Sequence, residues 1–93
     1  MAQTFTVNHY SIVLSLNEKH IYVKIVDTLA LHHYEGIATS KELPHLKLKD
    51  AFAVMAKCFQ GESGYEHCIL VNPGVMKIRF DALVGGFLAL HLD

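Results

Sequence analysis

Seven histidines and two cysteines are the residues of this 93-residue chain that could bind a metal ion or act as nucleophiles. The cysteines are Cys58 and Cys68, and the histidines are His9, His20, His32, His33, His45, His67 and His91. Zinc ligands usually occur at short spacings such as Cys-x2-Cys, or one helical turn apart as in His-x3-His. Neither spacing is present, and neighbours such as His32 and His33 would point to opposite faces of a strand. The sequence therefore predicts no metal site.

The two cysteines are predicted to be free, buried thiols and not catalytic groups. Cys58 falls near the C-terminal end of a predicted helix, where the helix dipole disfavours a thiolate. Cys68 falls in a predicted strand among apolar neighbours, as expected of a buried thiol in a reducing compartment. No two acidic residues are spaced like a catalytic dyad. We therefore predict no enzyme activity and no cofactor, and the alternative is a small metal- or ligand-binding protein that uses histidine and cysteine.

The composition is more apolar than that of a typical small domain. Hydrophobic residues make up 52% of the chain and charged residues 18%, against about 45–50% and about 25% in ordinary domains. This excess predicts either a dense core or an apolar patch that meets a partner. The net charge of −1 gives no bulk attraction for nucleic acid.

The length predicts a single domain over residues 1–93. The chain lacks the pattern of a signal peptide and has no apolar run of about 18 residues. We therefore predict an intracellular, cytoplasmic protein that contacts neither a membrane nor nucleic acid.

Alternating apolar residues predict β-strands before and after a central helix. The segments 11-SIVLSL-16 and 21-IYVKIV-26 alternate clearly, and the polar 17-NEKH-20 between them predicts a hairpin. Residues 29–39 are predicted as a third strand in which Gly36 marks a bulge. Three further strands are predicted at residues 65–71, 75–80 and 87–92.

A change of period to 3.6 residues predicts one helix at about residues 46–60. Its apolar stripe consists of Leu48, Ala51, Phe52, Met55 and Phe59. Gly61 lies where a glycine ends many helices. The predicted fold class is therefore α+β: a six-stranded, largely antiparallel sheet that curls toward a sandwich or barrel, with the helix inserted between strands 3 and 4.

Some apolar residues fall at strand positions where a solvated sheet should carry polar side chains. From these we select Phe87, Val75 and Val13 as candidate interface contacts because they break the alternation, and an aromatic side chain in a pocket is the usual interface anchor. Phe87→Asp is expected to weaken association and leave the fold intact. The alternative is that the helix covers this face of the sheet.

The order of predicted elements resembles the head domain shared by the centriolar cartwheel protein and the end-joining scaffold proteins of DNA repair. Three segments carry the resemblance: 11-SIVLSLNEKHIYVKIVD-27, 46-LKLKDAFAVMAKCFQG-61 and 75-VMKIRFDALVGGFLALHLD-93. It implies a small β-sandwich or barrel with a helical insertion, followed by a coiled-coil stalk through which chains dimerise. Residues 1–93 would then be the N-terminal head of a longer assembly protein. We therefore predict a non-enzymatic domain for self-association or protein binding, with a second copy as the expected partner.

Overall fold

Within the described residues, four strands precede a single helix and three strands follow it. The structure is a computed structural model that describes residues 1–43, 46–72, 74–82 and 86–92, without the side chains at 82 and 86–88. The elements are β1 (Ala2–Val7), β2 (Tyr10–Leu16), β3 (His20–Asp27), β4 (His32–Thr39), α1 (Leu48–Gln60), β5 (Tyr65–Asn72), β6 (Val75–Ala82) and β7 (Gly86–Leu92). The strands form two antiparallel sheets, in the orders β1-β2-β3-β4 and β5-β6-β7.

The predicted fold class is wrong in its strand count, its single sheet and the position of its helix. The described residues form two sheets of four and three strands that do not close on each other, and α1 follows the fourth strand. The additional strand arises because the N-terminal segment is a hairpin in which Val7 pairs with Tyr10. Its loop is Asn8 and His9, and Asn8 has a φ of 53°. Asparagine adopts this left-handed conformation more readily than most residues, so the turn needs neither glycine nor proline.

The helix agrees with the predicted stripe and the predicted end. The side chains of Ala51, Phe52, Met55 and Phe59 are buried. Gly61 has a φ of 72°, and its N–H donates a hydrogen bond to a carbonyl of the last turn, as expected of a C-terminal glycine. None of the helical residues described here forms a segment long and apolar enough to cross a bilayer.

Both sheets and the helix bury their apolar faces in one core. The fully buried side chains include Ile12, Leu14, Ile21, Val23, Ile25, Met55, Met76, Ile78, Phe80 and Leu92. Phe80 is the largest of them, and the ring of Phe59 meets it edge-on with centroids 5.3 Å apart. The core therefore depends on contacts between elements that are distant in sequence.

The edge strands β4 and β7 of the two sheets approach each other at Gly36. A Cβ atom at this position would overlap Cδ2 of Leu92 and lie 3.1 Å from the carbonyl oxygen of His91. The pairing of β4 with β3 continues without interruption through Gly36, opposite Val23, so the predicted bulge is wrong. The glycine instead permits close packing between the two sheets.

Candidate functional site

Exposed apolar side chains are concentrated in two hairpins. Of the seven large hydrophobic residues that are exposed in the described part of the chain, five lie in or beside the β3–β4 loop and the β5–β6 turn. We call these five residues the apolar end: Leu29, Leu31, Leu70, Val71 and Val75. The exposed fractions of Leu29 and Leu31 are 79% and 76%. Several exposed aliphatic side chains in two hairpins are more informative than a single exposed leucine, because exposed apolar surface often marks an interaction site.

A cavity between the two hairpins shows that their tips are adjacent. Its volume is about 300 Å³, and it is lined by Leu31, His32, His33, Tyr34 and Gly74. Leu31 ends the loop after β3, and Gly74 belongs to the turn before β6. The cavity therefore joins residues that lie more than forty positions apart in the sequence.

The β3–β4 loop is organised by the carboxylate of Asp27. Oδ1 of Asp27 accepts hydrogen bonds from the N–H groups of Leu29 and Ala30, both at 3.0 Å. The carbonyl oxygen of Asp27 accepts a third from the N–H of Leu31 at 2.8 Å. Side-chain bonding of this kind is a common way to fix a turn. The two exposed leucines are thus held by a defined backbone.

Leu31 has a backbone conformation that leucine rarely adopts. Its φ is 58°, and the left-handed region is disfavoured by roughly 1–2 kcal/mol for residues with a Cβ. The start of the same loop is held to the β1–β2 turn, since the N–H and hydroxyl of Thr28 donate to the carbonyl of His9 at 2.9 and 2.7 Å. The loop therefore holds a strained leucine and exposes its side chain.

The environment of Asp27 favours its charged form. The pKa of Asp27 is lowered chiefly by the hydrogen bond from Ala30. Burial opposes this effect, and the N–H of Leu29 and the imidazoles of His9 and His32 add to it. Nε2 of His9 lies 3.7 Å from Oδ2 of Asp27. Because the pKa in the folded state is below that in the unfolded state, Asp27 stabilises the fold above its unfolded pKa. This contribution is lost as the pH falls through the folded pKa.

We expect Asp27→Asn to remove part of the acid sensitivity of the fold. Asparagine retains an Oδ1 acceptor for the loop but does not titrate. The unfolding free energy of the Asp27→Asn variant should therefore fall less than that of the wild type as the pH drops below about 4. Urea unfolding across a pH series measures the difference. Glu42→Gln should likewise remove part of the acid sensitivity, because the pKa of Glu42 is also lowered, chiefly by the Thr39 hydroxyl. Parallel pH profiles for Asp27→Asn and the wild type would contradict a role for the Asp27 charge.

Two of the three predicted contact residues have described side chains, and these two lie in different sheets. Val75 is exposed and belongs to the apolar end. Val13 is partly buried in β2 of the four-stranded sheet, where it pairs with Lys24. The side chain of Phe87 lies outside the described residues, and only its backbone pairing with Asp81 is described. Their role as contacts stays a prediction.

Sequence reasoning did not find Leu29 and Leu31 as surface residues. It treated residues 29–39 as one strand, whereas β4 begins at His32. The residue that could have indicated a loop at 28–31 is Asp27. Aspartate side chains commonly accept hydrogen bonds from backbone N–H groups two or three residues further on, and so end a strand in a turn.

A second depression lies at the C-terminal end of α1. It has a volume of about 460 Å³, and its lining includes Cys58, Glu62, Glu66 and His67. Nδ1 of His67 donates to the carbonyl oxygen of Cys58 at 3.0 Å, because a carbonyl can only accept. In the part of the chain that the structure describes, which leaves out His45, no three His, Cys, Asp or Glu side chains are arranged to hold a metal ion.

The two free thiols are expected to differ in reactivity. Cys58 is fully buried and Cys68 is partly exposed, so burial of both thiols is confirmed only for Cys58. Burial raises the pKa of the Cys58 thiol, and the thiolate is the reactive form. Iodoacetamide should therefore modify Cys68 well before Cys58 in the folded protein, as read by peptide mass spectrometry. In urea the two rates should converge, and equal rates in the folded protein would contradict the buried position of Cys58.

No protein-family model matches the chain, and no curated protein sequence matches it significantly. The functional interpretation therefore depends on the geometry of the apolar end. Its exposed aliphatic side chains and the adjacent cavity are suited to binding by burial of apolar surface.

Proposed function

We propose that this chain is a non-enzymatic self-association domain that uses the apolar end as its contact surface. The observation that most supports the proposal is Leu31, which is 76% exposed at a φ of 58°. Strained backbone persists only where surrounding structure imposes it, and such positions are frequent at binding sites. The hydrogen bonds of Asp27 supply that structure. A preorganised loop also loses less conformational entropy when it associates.

The distribution of charge supports a second copy as the partner. Residues 28–34 and 67–76 contain no Asp, Glu, Lys or Arg, although the chain has nine acidic and eight basic residues. Two such surfaces can meet with little like-charge repulsion, because charged groups such as Asp27 at the start of the loop and Lys77, which pairs with Leu70, lie at the margins of these segments. They also provide no field that would steer nucleic acid or a strongly charged protein to this end.

The order of elements supports a wider form of the proposal, in which the domain is the head of a coiled-coil assembly protein. The helix lies between four early and three late strands, and the head domains that the chain resembles carry a helical insertion in a corresponding place. Two free thiols are consistent with an intracellular, reducing location. In this form of the proposal, the apolar end adds a contact to those made by a stalk.

Leu31→Asn tests the proposal because it should separate stability from association. Asparagine tolerates a left-handed φ, so the unfolding free energy should rise by up to about 1 kcal/mol. Association should weaken about tenfold or more, since an exposed leucine that would be buried is lost. Light scattering over a concentration series measures association, and urea unfolding measures stability.

Ile37→Asn is the matched control, because Ile37 is 53% exposed on β4 and lies outside the apolar end. It should leave association unchanged. Repeating the series with EDTA distinguishes self-association from the alternative of a metal-binding protein. In a metal-binding protein, EDTA should reduce association or stability. A wild-type chain that stays at its 10.4 kDa mass at every concentration, or equal association of Leu31→Asn and wild type, would refute self-association through this end.

A further inference from the structure

We infer that the outer edge of β1 is a separate binding surface, which takes up an extended peptide segment of a partner protein as an additional strand of the four-stranded sheet. The inference goes beyond the proposed function, because β1 lies outside the apolar end and this ligand is recognised through backbone groups. It follows from the hydrogen-bond phase of β1, from an edge without the usual protections and from two partly exposed apolar side chains.

The hydrogen bonds at the start of β1 show which of its backbone groups face outward. The N–H of Leu16 donates to the carbonyl oxygen of Met1 at 2.8 Å, and the amine of Met1 donates to the carbonyl oxygen of Leu16 at 3.4 Å. In an antiparallel pair, bonded positions of this kind alternate with unbonded ones. In the register of β1 with β2, the N–H and C=O groups of Ala2, Thr4 and Thr6 therefore point away from β2.

The outer edge of β1 lacks the features that usually block the addition of a strand. Among the described residues β1 pairs with β2 alone, its register is continuous over 6 residues, and its sequence contains no proline or charged residue. Prolines, lysines, bulges and very short strands are the common protections of an edge. By contrast β5, an edge strand of the other sheet, carries the exposed Glu66. The edge of β1 is therefore the better template.

The backbone and the two faces of β1 define the chemistry of the ligand. N–H and C=O groups that recur at every second residue are matched by the backbone of another extended strand. On the core face Phe5 and Val7 remain partly exposed, and the ring of Phe5 lies 5.5 Å from that of Phe59 on α1. On the outer face Thr4 and Thr6 are exposed. The ligand that fits is an extended peptide whose apolar side chains alternate with polar ones and cover Phe5 and Val7.

Amide hydrogen exchange of the full chain, read by NMR, tests this edge directly. In the free protein the amides of Thr4 and Thr6 should exchange faster than those of Phe5 and Val7, which bond to β2. The probe is an acetylated and amidated peptide of alternating valine and threonine with a lysine at each end. At saturation it should slow the exchange of Thr4 and Thr6 at least about tenfold. The same peptide with all its backbone N–H groups methylated is the control and should slow neither.

Three variants separate the edge from the fold. Thr4→Pro removes an outward N–H without removing a bond to β2, so it should weaken binding of the labelled probe about tenfold or more in fluorescence polarisation. Thr4→Val is the matched control, because it keeps the N–H, and it should bind as the wild type does. Gln3→Pro removes an N–H that bonds to β2 and should lower the melting temperature instead, as circular dichroism would show.

Three results would overturn the inference. The first is a probe that leaves the exchange of Thr4 and Thr6 unchanged, and the second is equal binding of the methylated and unmethylated probes. The third is exchange at these amides that slows with protein concentration when no probe is added, because a second copy would then occupy the edge. Leu31→Asn should bind the probe as the wild type does, so failure at the apolar end and failure at β1 are distinguishable.

Discussion

Replacing Phe80 by alanine should lower the free energy of unfolding by about 3–5 kcal/mol. Phe80 is fully buried in β6, the middle strand of the three-stranded sheet. Its ring contacts that of Phe59 on α1 edge-on at 5.3 Å, so the substitution removes an aromatic contact as well as buried area. Typical domains are stable by only about 5–15 kcal/mol, so much of this stability would be lost.

Urea unfolding at neutral pH measures the effect, with Val75→Ala in the same strand as the control. Val75 is exposed, and most exposed substitutions change stability by less than about 0.5 kcal/mol. A loss below about 1 kcal/mol for Phe80→Ala would contradict this prediction and would mean that the site collapses around the missing ring.

Local patterns in the sequence account for the elements that are regular over their whole length. The β2–β3 hairpin and α1 are close to their predicted bounds, because Ile12, Leu14, Ile21 and Val23 alternate and the helical stripe repeats every three or four residues. The first hairpin was not predicted, because its turn depends on Asn8 in a left-handed conformation within a segment that otherwise reads as continuous strand.

Interactions between distant residues explain what local patterns could not predict. The cavity exists because Leu31 and Gly74 meet at one end of the packed sheets. Leu29 is exposed because its N–H donates a hydrogen bond to Asp27, which keeps this apolar segment in a loop and out of the strand that its residues predict. The excess of apolar residues in the composition predicted either a dense core or an exposed patch, and composition carries no information about where such a patch would lie.

Gly36→Val is expected to cause a second large loss of stability, because β4 and β7 touch at this glycine. Even a Cβ atom would overlap the side chain of Leu92 and approach the carbonyl oxygen of His91 to 3.1 Å. Overpacking of a core by one or two carbon atoms typically costs about 1–3 kcal/mol, and valine adds two methyl groups to the Cβ. Glu35→Val is the control in the same strand, since Glu35 is exposed and valine favours strands.

A double-mutant cycle distinguishes a specific clash at this position from a general preference for glycine. Leu92→Ala alone should cost about 2–5 kcal/mol, because the side chain is fully buried. Gly36→Ala combined with Leu92→Ala should be less destabilised than the sum of the two single changes, since the shorter side chain leaves room for the new Cβ. Additive losses would show that Gly36 does not act through Leu92. Coupled losses would show that β4 and β7 are in direct contact at Gly36, and this contact helps to place the β3–β4 loop beside the β5–β6 turn.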